Sequence, residues 1–109
     1  MATLTTQPMV TGGLALTEAS AGGSGDRFTP GDKTFLYIRN TDSASHTVTV
    51  VTPGTVAGLA IADVGPVTVA AGAIEMIPIP AALFASSDGL GDVSYSATTG
   101  MKVAVVSVP

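Results

Sequence analysis

No stretch of ten or more residues in this chain repeats its apolar side chains with a period of 3.6, so the pattern predicts no amphipathic helix. Glycine and proline interrupt it instead, at Gly12-Gly13, Gly22-Gly23, Pro30-Gly31, Pro53-Gly54, Gly65-Pro66, Ala71-Gly72, Gly89 and Thr99-Gly100. Glycine opens left-handed backbone that other residues avoid, and proline removes a ladder donor, so each pair is a turn or strand-end signal. The segments between are short and rich in Val, Ile, Thr, Tyr and Phe. Short β segments at that spacing predict an all-β domain, a single β-sandwich (immunoglobulin-like or jelly-roll-like) of about seven or eight strands.

Residues 34–53, TFLYIRNTDSASHTVTVVTP, hold the two clearest strands. Side chains alternate across a strand. Phe35 and Tyr37 therefore share one face and Leu36 and Ile38 the other, so the first run is apolar on both sides. In the second run Val48 and Val50 share a buried face, with Thr47 and Thr49 opposite. The linker, residues 40–45, has turn chemistry, which predicts neighbouring strands joined by a loop at the sandwich centre. Further strands are expected at 14–18, at 55–63 with a bulge at Gly58, at 67–69, at 74–79, at 93–97 and at 102–108. Pro78 and Pro80 suit a sheet edge or a strand end, and residues 81–85 suit one helical turn.

At 109 residues the chain is one domain by length. Residues 1–13 are expected as an extended arm, ordered where it lies on something, and residues 14–109 as the sandwich. Charged residues make up 11% of the chain, against about 25% in ordinary soluble domains, while 46% are hydrophobic. One modest core cannot enclose all of that apolar surface. A charge-poor exterior suits a protein held against fixed neighbours. With four Lys and Arg and a net charge of −4, no basic stripe is available for phosphates, which argues against nucleic acid. No cysteine is present, which excludes disulfides and thiolate metal sites. No run of about 18 apolar residues predicts a membrane helix. The opening MATLTTQPMVTGG lacks the basic start and apolar core of a secretory signal.

Sites of chemistry are sparse. His46 is the single histidine; with no cysteine it cannot form an ordinary zinc site. A triad drawn from Ser43, His46 and Asp42 is too close in sequence and lacks a nucleophile elbow. Asp88 and Asp92 flank a glycine turn that fits no calcium loop. Asp26, Arg27, Asp32 and Lys33 are expected to pair locally on an exposed loop. Gly22-Gly23-Ser24-Gly25 lacks the Gly-Lys-Ser/Thr and the helix of a phosphate loop. The aromatics Phe28, Phe35, Tyr37, Phe84 and Tyr95 are too scattered for a stacking platform. No catalytic, cofactor-binding or metal-binding residue is expected.

The strand-and-turn pattern in GGSGDRFTPGDKTFLYIRNTDSASHTVTVVTPGTVAGLAIAD, VTVAAGAIEMIPIP and GDVSYSATTGMKVAVVSV, over about Gly22 to Val108, resembles small virion proteins of tailed bacteriophages, some of which are head decoration proteins. The resemblance implies a non-enzymatic homo-oligomer, plausibly a trimer, that is made in the host cytoplasm and cements the major capsid protein from outside. Leu4, Met9, Val10, Leu14 and Phe28 are then the expected capsid or subunit contacts. VTVAAGAIEMIPIP also resembles strand pairs of immunoglobulin-like adhesion modules, which keeps a fibre, connector or cell-surface module as the alternative.

Overall fold

The computed structural model describes residues 2–52, 55–56, 59–60, 64–80, 84–85 and 89–108. Its strands in chain order are β1 (Ala2–Thr3), β2 (Thr6–Pro8), β3 (Ala19–Ser20), β4 (Asp26–Phe28), β5 (Thr34–Asn40) and β6 (His46–Val50). They continue with β7 (Thr55–Val56), β8 (Leu59–Ala60), β9 (Val64–Val69), β10 (Ile74–Pro78), β11 (Gly91–Tyr95) and β12 (Met101–Ser107). Two sheets pack face to face as a β-sandwich. Sheet one runs β1-β4-β11-β6-β9; sheet two runs β10-β5-β12-β2, with β3 sharing the β12 edge beside β2.

The two long central strands of sheet two, β5 and β12, pair antiparallel from Met101 opposite Asn40 to Ser107 opposite Thr34. Leu36, Ile38, Val103 and Val105 are fully buried and face Val48, Val50, Val69, Val93 and Phe28 across the core. Burial of a Val, Leu, Ile or Phe side chain contributes about 1.5–3 kcal/mol, so this cluster dominates the stability. The strand prolines all sit at rims: Pro8 in β2, Pro66 in β9 and Pro78 in β10. A rim strand needs no outward amide donor, so proline costs no ladder bond there. Gly65-Pro66 does not end its strand. Val48 pairs Val67 while Val50 pairs Val64, so β9 absorbs the extra residue as a bulge.

The segment 34–50 is not a hairpin. β5 belongs to sheet two and β6 to sheet one, so the loop between them is a corner from one layer to the other. Asn40 builds that corner. It is fully buried; its Nδ2 donates to Ala44 O (2.8 Å) and Val69 O (3.0 Å), and its Oδ1 accepts from Asp42 N (2.9 Å). Its backbone N donates to Ala73 O and its O accepts from Gly72 N. The side-chain and backbone polar groups of Asn40 are thus all paired, as a fully buried amide requires.

Two further expectations differ. Residues 14–18 are not a strand; they cross the outside of sheet two, and the strand begins at Ala19. Instead of one bulged strand over 55–63, β7 and β8 pair antiparallel with each other; residues 57–58 and 61–63 lie outside the described residues, as do the Pro53-Gly54 turn and Asp88. Of the helical turn expected over 81–85, residues 81–83 lie outside the described residues; Phe84 N donates to Pro80 O at 3.2 Å, with Phe84 in the core.

Candidate functional site

The outward side of sheet two is built by strict alternation. On β10 Ile77 turns in, and on β5 Leu36 and Ile38 do; the register then sets Ile74, Met76 and Pro78 beside Arg39, Tyr37 and Phe35 on the outside. β12 adds Lys102, Ala104 and Val106 opposite the same three residues. This outer face is therefore largely apolar, and residues 9–18 lie over part of it. Met9, Leu14 and Leu16 line a groove of about 190 Å³ with Phe35, Tyr37, Met76 and Val106.

The covering segment is pinned at both ends. Gln7 Nε2 donates to Thr17 O (2.8 Å) and Thr17 N donates to Gln7 Oε1 (2.9 Å). Tyr37 Oη donates to Glu18 Oε2 at 2.8 Å, and Arg39 Nη2 pairs with Glu18 Oε1 at 3.1 Å. Burial raises the Tyr37 phenol above its ordinary pKa, and its bond to the Glu18 carboxylate adds to the rise. Beyond the cover, Met9 (42%), Val10 (58%), Ile74 (50%) and Met76 (57%) remain exposed. Arg39, beside Ile74, and Lys102 are charged side chains on the same outer face.

Of the residues expected as contacts, Met9 lines this surface, Val10 next to it in sequence is exposed, and Leu14 supports the surface, half-buried. Leu4 and Phe28 are not available: Phe28 has no exposed surface and Leu4 is 7% exposed, both within the chain's own core. Sequence reasoning placed no weight on Ile74 and Met76. The signal was present in IEMIP, which is apolar on both faces apart from Glu75, whereas a rim strand with one solvated face is normally polar there.

The polar clusters resolve into supports. Asp26 is not on an exposed loop: it is 1% exposed, and its Oδ2 accepts from Gly22 N (2.9 Å) and Tyr95 Oη (2.7 Å). The glycine turn thus closes on the chain's own carboxylate. Gly25 stands there at φ +90, where a Cβ would lie 2.4 Å from Val93 O. Burial raises the Tyr95 phenol, and the Asp26 bond raises it further. Arg27 Nε pairs with Asp92 Oδ1 at 3.0 Å between register partners on β4 and β11, while Asp32 and Lys33 are exposed. His46 Nε2 lies 2.8 Å from Asp42 Oδ2, whose partner oxygen accepts from Ser43 N. The His46 bond, then the Ser43 amide, hold the Asp42 carboxyl below its ordinary pKa. Among the described residues no three His, Cys, Asp or Glu side chains are grouped so as to hold a metal ion, and no helix is long and apolar enough to cross a membrane.

Compared with known proteins, the chain matches no protein family, no curated protein and no solved structure.

Proposed function

We propose that the protein is a decoration protein of tailed-phage heads, a non-enzymatic homotrimer that binds the outside of the major capsid lattice and cements it. The observation that carries this reading is the exposure of the large apolar side chains Met9, Val10, Ile74 and Met76 on a chain in which only 11% of residues are charged. Apolar surface of this kind marks an interaction site, and so low a charge gives little protection against self-association when the protein is free. A rigid small sandwich repeated at equivalent lattice positions adds modest contacts into a strong collective hold, because bridging sites act at high local concentration. Nucleic acid is an unsuitable partner for a chain of net charge −4.

Purified protein mixed with undecorated heads is expected to saturate at copy numbers matching the lattice. Met76→Asp and Ile74→Asp, both at exposed positions, are expected to lower that binding at least tenfold while leaving the far-UV circular dichroism and melting temperature unchanged. Wild-type protein that ignores heads and stays a single species at high concentration would refute the reading. Saturable glycan binding in its place would favour the adhesion or fibre module.

A further inference from the structure

Residues 2–8 act as a strap across one open side of the sandwich. β1 lies parallel to β4 on the rim of sheet one, and β2 lies parallel to β12 on the rim of sheet two. Between them the chain crosses layers, Leu4 enters the core, and Leu4 N donates to Arg27 O at 2.7 Å. The hold is slight. The ladders cover Ala2–Thr3 and Thr6–Pro8 only, and Thr3 and Thr5 on either side of Leu4 are exposed. A cleft of about 390 Å³, lined by Thr3, Leu4, Gln7, Thr17, Val103 and Ala104 among others, remains where strap meets body, so dispersion contacts there are incomplete. The chain that follows has no strand until Ala19 and reverses at a turn in which Gly13 N donates to Val10 O (2.9 Å), with Gly13 at φ +97.

We propose that residues 2–8 are an exchangeable element, and that the cleft between the β4 and β12 edges is a strand-acceptor site for the same residues of a second copy of the chain. The occupant follows from the register already present. Any copy offers the same backbone donors and acceptors and the same Leu4, so an exchanged strap makes the bonds that the resident one makes, and only the connector changes conformation. Thr17 leads directly into β3 and stays with the acceptor body, so the Gln7 clamp re-forms between the two copies. The hinge is then residues 9–16, which reach roughly 26 Å when extended, against body dimensions of 41 × 35 × 20 Å. That is enough to reach an adjacent copy whose acceptor edge faces it. A short tether holds its own strap at an effective concentration on the order of millimolar. Exchange is therefore expected where copies approach that concentration or stand side by side, and not in micromolar solution. The inference rests on the strap's geometry and holds whatever surface the copies occupy.

The chain contains no cysteine, so engineered thiols report cleanly. Pro8 and Ser107 are register partners, Pro8 being exposed and Ser107 half-buried. A mixture of a Pro8→Cys chain and a Ser107→Cys chain, oxidised gently at about 1 mM, is expected to give the mixed disulfide in excess of the two symmetric ones combined, an excess that disappears at about 10 μM. No excess at the higher concentration overturns the proposal. The doubly substituted chain is the geometric control: an intramolecular bridge at low concentration is expected, and its failure to form would overturn the placement of the strap on β12. Deleting Gly12 and Gly13 shortens the hinge and is expected to shift the protein to dimers at micromolar concentration, because a strained short hinge favours exchange; a variant that folds and stays monomeric counts against the proposal.

Discussion

Asn40→Ala removes a side chain that ties the two layers together at the β5–β6 corner. It deletes three hydrogen bonds, to Ala44 O, Val69 O and Asp42 N, of which the Val69 bond is buried and the other two partly so. At about 1 kcal/mol each, with the buried Val69 carbonyl left to find another donor, the expected loss is about 3 kcal/mol. For a domain of this size that lowers the melting temperature by roughly 12–18 °C. Asn40→Asp is the sharper test. At neutral pH it aims a buried carboxylate at the two carbonyls that the amide now serves, so it is expected to cost more than the alanine variant. The folded-state pKa of that Asp is raised, so the folded form binds protons more readily than the unfolded form. The deficit therefore shrinks as pH falls through the raised value, the opposite of ordinary acid destabilisation. Urea unfolding followed by circular dichroism at pH 7 and pH 5 measures both. A loss below about 1 kcal/mol for Asn40→Ala, or an Asp variant no worse than the Ala variant at pH 7, would refute this account of the corner.

Other predictions follow from the same geometry. Asp42 has a lowered folded-state pKa, so its bond to His46 stabilises the fold above the ordinary carboxylate range and is lost as pH falls through the depressed value; Asp42→Asn is expected to flatten that part of the stability-versus-pH curve, and an unchanged curve would count against the pair. Gly25→Ala is expected to be severely destabilising, since it combines positive φ with a Cβ 2.4 Å from Val93 O, whereas Gly23→Ala, with nothing within 4 Å, is expected to be well tolerated; thermal melts of the two side by side decide it. Ile38→Ala, fully buried between β10 and β12, is expected to cost about 2–5 kcal/mol, read from the urea midpoint.

Much of the fold was legible locally. In residues 34–50 the alternation named the buried face of the second strand, Val48 and Val50, with Thr47 and Thr49 opposite; it left the first strand apolar on both sides, and the structure sets Leu36 and Ile38 fully in the core. Pro78 correctly marked a rim strand. The errors share a cause. A turn-rich linker looks the same whether it joins paired strands or carries the chain between layers, because turn chemistry describes the reversal and not the partner. Asp26 was read with its charged neighbours, yet two residues before the core side chain Phe28 it falls on the inward face of β4. Leu4 was expected at a contact surface because an apolar residue in a threonine-rich stretch carries no record of what lies opposite it, and Phe28 is in the core that its aromatic ring suits rather than at the contact the resemblance implied.

By itself, the sequence determined that the chain is all-β, where most strands fall, and that its exterior would be unusually short of charge. Those properties depend on side-chain order and composition, which act over two to ten residues. Tertiary structure alone decided which sheet each strand joins, that residues 2–8 strap both layers, and that Met9, Ile74 and Met76 come to lie on one side. Those outcomes depend on hydrogen-bond partners as distant as β2 and β12, and no local pattern encodes which of several compatible edges a strand will meet.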